Sequence, residues 1–431
     1  MPAGLPTQVA PYEHYMYADD RVGAPMTFFI RASLTGRFER NAFVQAVAHA
    51  QTRHPLSRAV IAGHRRARTE QLRWQPATAA PPLIIWHDHG DAFPAYPAGK
   101  PSIDIKHELG LRFFLREDGE RTTLLMQVHH SVSDAIGALR FLEDVLAIYD
   151  GKVPPRALDP ELLQHRHDRL APKGMPRHPA TVDEALNILN RLAEPLIAPG
   201  TPPVETEATF PASLQTTLTA ARLVELRAEA AAHGTSLNDV LLRNLFVALN
   251  RFQRGRGSEH PLRILMPVDL RGNRLVEMSM ANAVGMAFLD REPADLLDRD
   301  ALISGIAAET RRIKQGNEAV HFNNAVEIGG RFDDGLRLIC TPTRCFSTAV
   351  LSNLVRPFAG SPLLGPDGRL RAGNMVLESC ALLPPLRPLT HAAFGILTYG
   401  DEARVALHYD PQALTGEDAA RLLEMFVGAE A

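Results

Sequence analysis

The chain has 431 residues, 45% of them hydrophobic and 22% charged, a balance that supports a large buried core and a length beyond what one domain usually holds. Its 46 basic and 49 acidic residues are interspersed and leave a formal charge of -3, which excludes a broad positive face for nucleic acid or anionic lipid. Cys340, Cys345 and Cys380 form no CxxC pair, which excludes a disulfide framework or a structural zinc site and suits a reducing compartment. The N-terminal stretch MPAGLPTQVAPYEHYMYADD lacks the basic start and apolar run of a signal peptide. No uncharged apolar run approaches the roughly 18 residues of a membrane span, so a cytoplasmic protein without an integral membrane segment is expected.

In RFERNAFVQAVAHAQTRHPL, Phe43, Ala46, Val47 and Ala50 recur at three- and four-residue spacing and predict an amphipathic helix that stops before Pro55. LRFFLREDGERTTLLMQV reads as a hairpin around Glu-Asp-Gly-Glu, with Leu124, Met126 and Val128 on one face of its second strand. Ile136, Leu139, Leu142, Val145, Leu146 and Tyr149 then repeat helically up to Gly151, with Pro154 and Pro155 as terminators. From about 152 to 212 prolines recur, including Pro172, Pro176, Pro179, Pro195, Pro199, Pro202 and Pro203, which suits a crossing linker with one short helix near 182–193. The division is therefore an N-terminal half at 1–175, a linker at 176–210 and a C-terminal half at 211–431.

The second half opens with a helix in TAARLVELRAEAAAHG and another in TSLNDVLLRNLFVALNRF, capped by Thr235 or Ser236 and burying Leu237, Val240, Leu241, Leu245 and Leu249. Strands follow in LRILMPVDLR, NAVGMAFL and TAVLSNL, and AAFGILTYGDEARVALHYD reads as a closing hairpin. Each half mixes helices with strands.

The histidine pair in QVHHSVSDA raises the question of chemistry. Successive strand side chains face opposite ways, so His129 and His130 cannot share a small target such as a metal unless the chain has left the strand. His130 continues the parity of Leu124, Met126 and Val128, toward apolar space. An imidazole there is either a hydrogen-bonded core histidine or a general base, its ordinary pKa of about 6.5 lying near working pH. Asp134 opens the next helix, where an acid is favoured as a cap. A carboxylate that also pairs with a distant cation would lock the loop.

QVHHSVSDA resembles the HHxxxDG signature of the condensation-domain-like acyltransferases, a superfamily similar in fold to chloramphenicol acetyltransferase. Further stretches match in family order over roughly residues 36–425. RHPLSR (53–58) is similar to the family's RHP-L-R segment. TSLNDVLLRNLFVAL, with Asn238 and Asp239, is similar to the Asn-Asp helix of wax ester synthases and mycobacterial polyketide-associated acyltransferases. MPVDLRG (266–272), NAVG (282–285), LSNL (351–354) and LTYGDEARVALHYD follow.

The resemblance implies an α/β (α+β) fold of two chloramphenicol acetyltransferase-like halves, each a mixed sheet with flanking helices, forming a V-shaped pseudo-dimer with a tunnel between them. It implies an acyltransferase that moves an acyl group from a thioester, acyl-CoA above all, to a hydroxyl of a small-molecule acceptor, with His130 as general base. No metal or bound cofactor belongs to that chemistry, and the thioester is a co-substrate. Two alternatives stay open: a free-standing condensation enzyme whose donor rides on an acyl or peptidyl carrier protein, forming an ester or amide, and a catalytically silent binding relative. His129, Asp134 and Arg271 support the site in this picture, the last two as a buried ion pair. Asn353, preceded by Ser352, reads either as a turn asparagine or as a polar contact near the tunnel. Ala135 departs from the family glycine and narrows the tunnel or is tolerated as a helical residue. No DFGWG-like segment is present, and the Pro-Leu-Trp and Asn-Val-Pro-Gly-Pro elements of wax ester synthases are not evident.

Other residues have plainer readings. His87 and His89, like His165 and His167, have a spacing open to a metal and are expected as exposed loop histidines. Arg65, Arg66 and Arg68, and separately Arg254 and Arg256, form short basic clusters that read as solvated surface or as contacts for coenzyme A phosphates or an acidic carrier protein. Ser131 and Ser133 lack a GxSxG elbow, which sets a hydrolase aside.

Overall fold

In the computed structural model, which describes residues 4–77, 82–170, 192–198, 201, 204, 210–272 and 274–428, the strands lie in two six-stranded sheets and one three-stranded sheet. In chain order the strands are β1 (Thr7–Gln8), β2 (Thr27–Thr35), β3 (Ala59–Ala62), β4 (Arg73–Pro76), β5 (Leu83–His87), β6 (Leu111–Asp118), β7 (Arg121–His129), β8 (Ser213–Leu218), β9 (Leu262–Asp269), β10 (Val284–Arg291), β11 (Ala349–Val355), β12 (Arg371–Ala372), β13 (Met375–Leu383), β14 (Ala392–Tyr399) and β15 (Glu402–Tyr409). The helices are α1 (Pro11–Asp19), α2 (Arg40–Arg53), α3 (Ala135–Tyr149), α4 (Pro160–Gln164), α5 (Ala220–Ala232), α6 (Leu237–Arg254), α7 (Arg299–Gly316), α8 (Val320–Gly329) and α9 (Gly416–Val427).

The first sheet runs β12-β13-β2-β7-β6-β5 and the second β10-β9-β11-β14-β15-β8. Both are mixed: β5 runs parallel to β6, and β11 runs parallel to β9 and β14. Both expected hairpins are present, β6 with β7 and β14 with β15. On the first sheet α2 and α3 pack together, burying Phe43, Ala46, Val47 and Ala50 against Leu139, Leu142, Val145 and Leu146. Each of the Phe, Val and Leu side chains contributes about 1.5–3 kcal/mol when fully buried, and the two alanines less. In the second lobe α6 packs against α5, α7 and α9. Its first turn is fixed by Ser236, whose Oγ accepts from Asp239 N, while Asp239 Oδ1 accepts from Thr310 Oγ1 of α7 at 2.7 Å.

Chain order and lobe membership part at one place. β12 and β13 lie in the span the sequence assigns to the C-terminal half, yet they join the first sheet, where β13 pairs with β2 from Val376↔Thr35 to Leu383↔Phe29. The lobes meet closely there. A Cβ on Gly395 of β14 would stand 2.1 Å from Leu382 O of β13, so only glycine fits. Most of the proline-rich linker, including Pro172, Pro176, Pro179, Pro199, Pro202, Pro203 and residues 182–191 of the expected short helix, lies outside the described residues. The stretch 192–198 is not helical and packs on the second lobe, with Thr348 Oγ1 donating to Glu194 O at 2.9 Å and Leu196 and Ile197 buried.

Two buried polar clusters tie these layers together. In RHPLSR, Arg53 Nε and His54 Nε2 both meet Asp144 Oδ2 of α3, at 2.8 and 3.0 Å, and His54 Nδ1 accepts from Met280 N at 2.9 Å. Accepting at Nδ1 leaves the proton on Nε2, facing Asp144, and burial lowers the ring's pKa against the pull of that carboxylate. The second cluster anchors α1. Glu13 Oε2 accepts from Ala10 N at 2.9 Å, Trp74 Nε1 at 2.7 Å and Arg166 Nη2 at 2.5 Å, and its Oε1 accepts from Arg166 Nε at 2.6 Å.

Glu13 and Arg166 are both buried, so removing the acid strands a guanidinium in the core. Glu13→Ala is expected to lower unfolding free energy by about 3–5 kcal/mol, and Glu13→Gln, which keeps some acceptors, by less. Urea unfolding measures both.

Candidate active site

β7 ends at His129, opposite Thr27. The buried His129 ring holds the turn that follows: its Nδ1 accepts from Ser131 N at 3.1 Å, and Nε2 lies 3.8 Å from Asp20 Oδ1. Having left the strand, His130 aims its ring elsewhere, while its N donates to Met26 O at 2.8 Å. The His130 imidazole stands edge-on between Tyr12 and Phe28, with centroids 5.8 and 5.2 Å away. Burial is the largest influence on it and lowers its pKa below 6.5, opposed by its own backbone carbonyl and the Asp134 charge. The ring is therefore neutral near pH 7.

Asp134 is the N-cap of α3. Its Oδ1 accepts from Gly137 N at 2.9 Å and from Arg271 Nη2 at 2.8 Å, and its Oδ2 accepts from Ala283 N at 2.7 Å. Burial alone would raise this carboxyl's pKa, but Arg271 and the two backbone donors outweigh it and hold it below the usual carboxylate range. Arg271 also donates to Asp269 Oδ1 at 3.0 Å and Ala281 O at 3.0 Å. Asn282, the residue after Ala281, donates from Nδ2 to His130 O at 2.8 Å and Ser131 O at 3.1 Å. The histidine loop is thus gripped by residues 271–283 of the second half.

His130 lines a cavity of about 150 Å³ between the lobes. One wall carries Tyr12, Tyr15 and Met16 of α1, with Met26 and Phe28; the other carries Leu265, Val284, Met286, Phe288 and Phe322. Burial, with Tyr15 and Asp134 nearby, pushes the Tyr12 phenol well above its ordinary pKa, so its O–H stays intact. Asp134, Ala135, Arg271, Ser352 and Asn353 also line this cavity. Asn353 is no turn residue: it lies in β11 and donates to Asn238 Oδ1 of α6 at 3.2 Å. Ala135 is the first residue of α3, where its methyl meets no backbone restriction. The position here that refuses a side chain is Gly137, in the first turn of α3, whose added Cβ would stand 2.3 Å from Ser133 Oγ and 3.0 Å from Ala281 O.

Several residues of the cavity and of the loop that presents His130 escaped the sequence reading. Tyr12, Tyr15 and Met16 sit in a stretch read only for the lack of a signal peptide, and Asn282 was seen as part of NAVG without a role. Arg387 reaches the cavity from the chain after β13, half-buried and paired with Asp19. The other histidines are scattered. His87 is buried at the end of β5 beside Phe93 and not in an exposed loop, whereas His89 is exposed and pairs with Asp118. His165 is exposed, and His167 is half-buried with Nε2 3.0 Å from Glu327 Oε2. Among the described residues no group of three His, Cys, Asp or Glu side chains could hold a metal, and no helix is long and apolar enough to cross a membrane.

No protein-family model matches the sequence. No curated protein matches it either. Solved structures do. The first condensation domain of the calcium-dependent antibiotic synthetase, in complex with a substrate analogue, is 15% identical with a TM-score of 0.69, covering 99% of this chain and 95% of that one. Polyketide synthase associated protein 5 from Mycobacterium tuberculosis is 14% identical with a TM-score of 0.65, covering 98% and 97%. A starter condensation domain of rhizomide synthetase, in complex with C8-CoA and Leu-SNAC, is 13% identical with a TM-score of 0.67, covering 98% and 93%. At these identities the likeness is one of fold: the chain has the two-lobed architecture of the condensation domains.

Asp134→Ala and Arg271→Met are each expected to lower unfolding free energy by about 3–5 kcal/mol, since each leaves a buried charge unpaired. The double variant should lose clearly less than the sum, because no stranded charge remains. Asp134 has a depressed folded pKa, so its contribution is complete above pH 3.8 and fades as pH falls through the lower folded value. Urea titrations of the four proteins at neutral and acid pH give the coupling directly.

Proposed function

We propose that the protein is a thioester-dependent acyltransferase, moving an acyl group from an acyl-CoA to a hydroxyl of a small-molecule acceptor with His130 as general base. The observation that carries this reading is a neutral imidazole on the wall of an apolar cavity between the lobes of a condensation-domain fold. The acceptor oxygen adds to the thioester carbonyl as its proton passes to His130. The tetrahedral oxyanion collapses, the C–S bond breaks, and the imidazolium returns the proton to the departing thiolate. An amine would follow the same steps to an amide.

A thioester is already an activated donor, so the protein has two tasks. Holding donor and acceptor in line is worth up to roughly 7–11 kcal/mol, and the base adds about 10²- to 10⁴-fold. In this reading Asp134, Arg271 and His129 are positioning residues that fix the loop, and Asn353 and Ser352 meet the substrates. The methionines and phenylalanines of the cavity face the acyl chain. A second reading, with the donor on a carrier protein, is favoured by neighbours that include a four-domain nonribosomal peptide synthetase, 32% of which this chain covers. Activity with acyl-loaded carrier protein and none with acyl-CoA would select it. Binding of both donors without turnover would leave a silent relative.

With a panel of acyl-CoA donors, candidate acceptors and a thiol reagent, His130→Ala is expected to cut acceptor-dependent thiol release by about 10²- to 10⁴-fold and to leave the melting transition in place. Undiminished turnover in that variant refutes the base assignment. Since the active form is the neutral ring and its pKa is lowered, kcat/KM should be flat from pH 7 upward and fall on acidification through a midpoint below 6.5. A midpoint above 7 contradicts the assignment.

A further inference from the structure

Helix α1 is anchored on either side of one tyrosine. The Glu13 carboxylate accepts from Ala10 N, Trp74 Nε1 and Arg166 Nε, and the Glu13 carbonyl accepts from Ser131 Oγ at 3.0 Å, which bonds the helix to the residue that follows His130. His14 is buried as well. Its Nε2 donates to Arg65 O at 3.0 Å, which leaves Nδ1 to accept from Thr69 Oγ1 at 2.7 Å. Tyr12 stands beside these anchors and takes part in none of them: among the described residues its hydroxyl has no hydrogen-bond partner, although the side chain is buried and lines the cavity. Tyr17 and Tyr399 differ. Their hydroxyls donate within the protein, to Gly63 O at 3.3 Å and to Leu377 O at 3.0 Å.

The reaction proposed above develops a charge that His130, occupied with the acceptor's proton, does not meet. As the acceptor oxygen adds to the thioester carbonyl, an electron pair moves onto the carbonyl oxygen, and one donor aimed at that oxygen is worth about 10²- to 10³-fold in rate. Attacking oxygen and oxyanion share a carbon, so the donor must stand beside the base. Three hydroxyl side chains on the cavity wall, those of Tyr12, Tyr15 and Ser352, have no hydrogen-bond partner among the described residues. Tyr12 is the one whose ring meets the imidazole, with centroids 5.8 Å apart. Tyr15 meets Tyr12 and Phe322 instead, and Ser352 belongs to β11 of the second sheet. A donor must also keep its proton. Burial, with Tyr15 and Asp134 nearby, holds the Tyr12 phenol protonated well beyond its ordinary range.

We propose that Tyr12 is a second catalytic residue, its hydroxyl donating to the oxyanion that forms on the thioester carbonyl as the acceptor attacks beside His130. The phenol keeps its proton throughout. It gives a hydrogen bond while the tetrahedral species lasts; when the C–S bond breaks, the carbonyl re-forms and the imidazolium proton goes to the thiolate. The bonds of Glu13, His14 and Ser131 then serve the chemistry, because a donor lowers the barrier to the extent that it is in place before the charge develops. The proposal rests on the acyltransferase reading and adds a residue to it.

Tyr12→Phe deletes one oxygen and keeps the ring edge against His130. In the thiol-release assay on full-length protein it is expected to lower kcat about 10²- to 10³-fold, with KM for the acyl-CoA little changed, the melting transition in place and the acid limb of kcat/KM unmoved. Tyr15→Phe makes the same deletion about one turn further along the helix, and Ser352→Ala removes the third hydroxyl. Each of these is expected to lose less than about tenfold. A kcat for Tyr12→Phe within about threefold of the unsubstituted protein's, a loss confined to KM, or an equal loss in Tyr15→Phe or Ser352→Ala overturns the assignment and leaves the transferase reading standing. If the unsubstituted protein turns over neither acyl-CoA nor acyl-loaded carrier protein, both fall together.

Discussion

The site depends on the carboxylate of Asp134. It caps α3, pairs with Arg271 and accepts from Ala283 N, so one side chain joins the histidine loop of the first half to the 271–283 segment of the second. Desolvation offsets much of the attraction within a buried pair, which makes such a pair a poor source of stability compared with packed hydrocarbon. Its effect here is positional. Asn282 holds His130 O and Ser131 O, and Met280 N reaches back to His54. The loop that presents His130 is consequently defined by contacts between halves, and relative displacement of the lobes would move the imidazole.

Asp134 does not support His130 as the acid of a Ser-His-Asp triad supports its histidine. Its oxygens are taken by Arg271, Gly137 and Ala283, and His130 Nδ1 is buried with no hydrogen-bond partner among the described residues. The ring is flanked instead by the edges of Tyr12 and Phe28, and its main chain is held by the bond from His130 N to Met26 O. Basicity is then set chiefly by burial, which keeps the imidazole neutral. The proposed transfer asks no more of the ring than a single proton, taken from a nucleophile and passed to a thiolate.

How much of this was legible in the sequence follows from where each signal resides. The helices α2, α3, α5 and α6 and the two hairpins show, because one-sided burial and short turns write a local period into the chain. The pairing of Asp134 with Arg271 was expected from resemblance alone, since 137 residues separate the partners. Helix α1 did not show: nearly every residue of it is buried, from Tyr12 through Tyr17, and burial on all sides erases the amphipathic stripe. Nor did β13, because a strand's partner is fixed by tertiary packing, and nothing in MVLESCALL says it belongs beside β2. Ala135 drew notice as a departure from a motif, yet the steric constraint falls at Gly137, visible only once Ser133 and Ala281 are in place.

The walls around His130 also bear on the acceptor. Apart from His130, the lining includes the aromatic and thioether side chains Tyr12, Phe28, Met26 and Met286, and the charged lining groups are Arg387, paired with Asp19, and Arg271, which is shared by Asp134 and Asp269. An ammonium must lose a proton before it can attack, and it sheds water on entering such a space. In the proposed reaction an alcohol arrives neutral and needs only the imidazole of His130, whose pKa the same burial lowers.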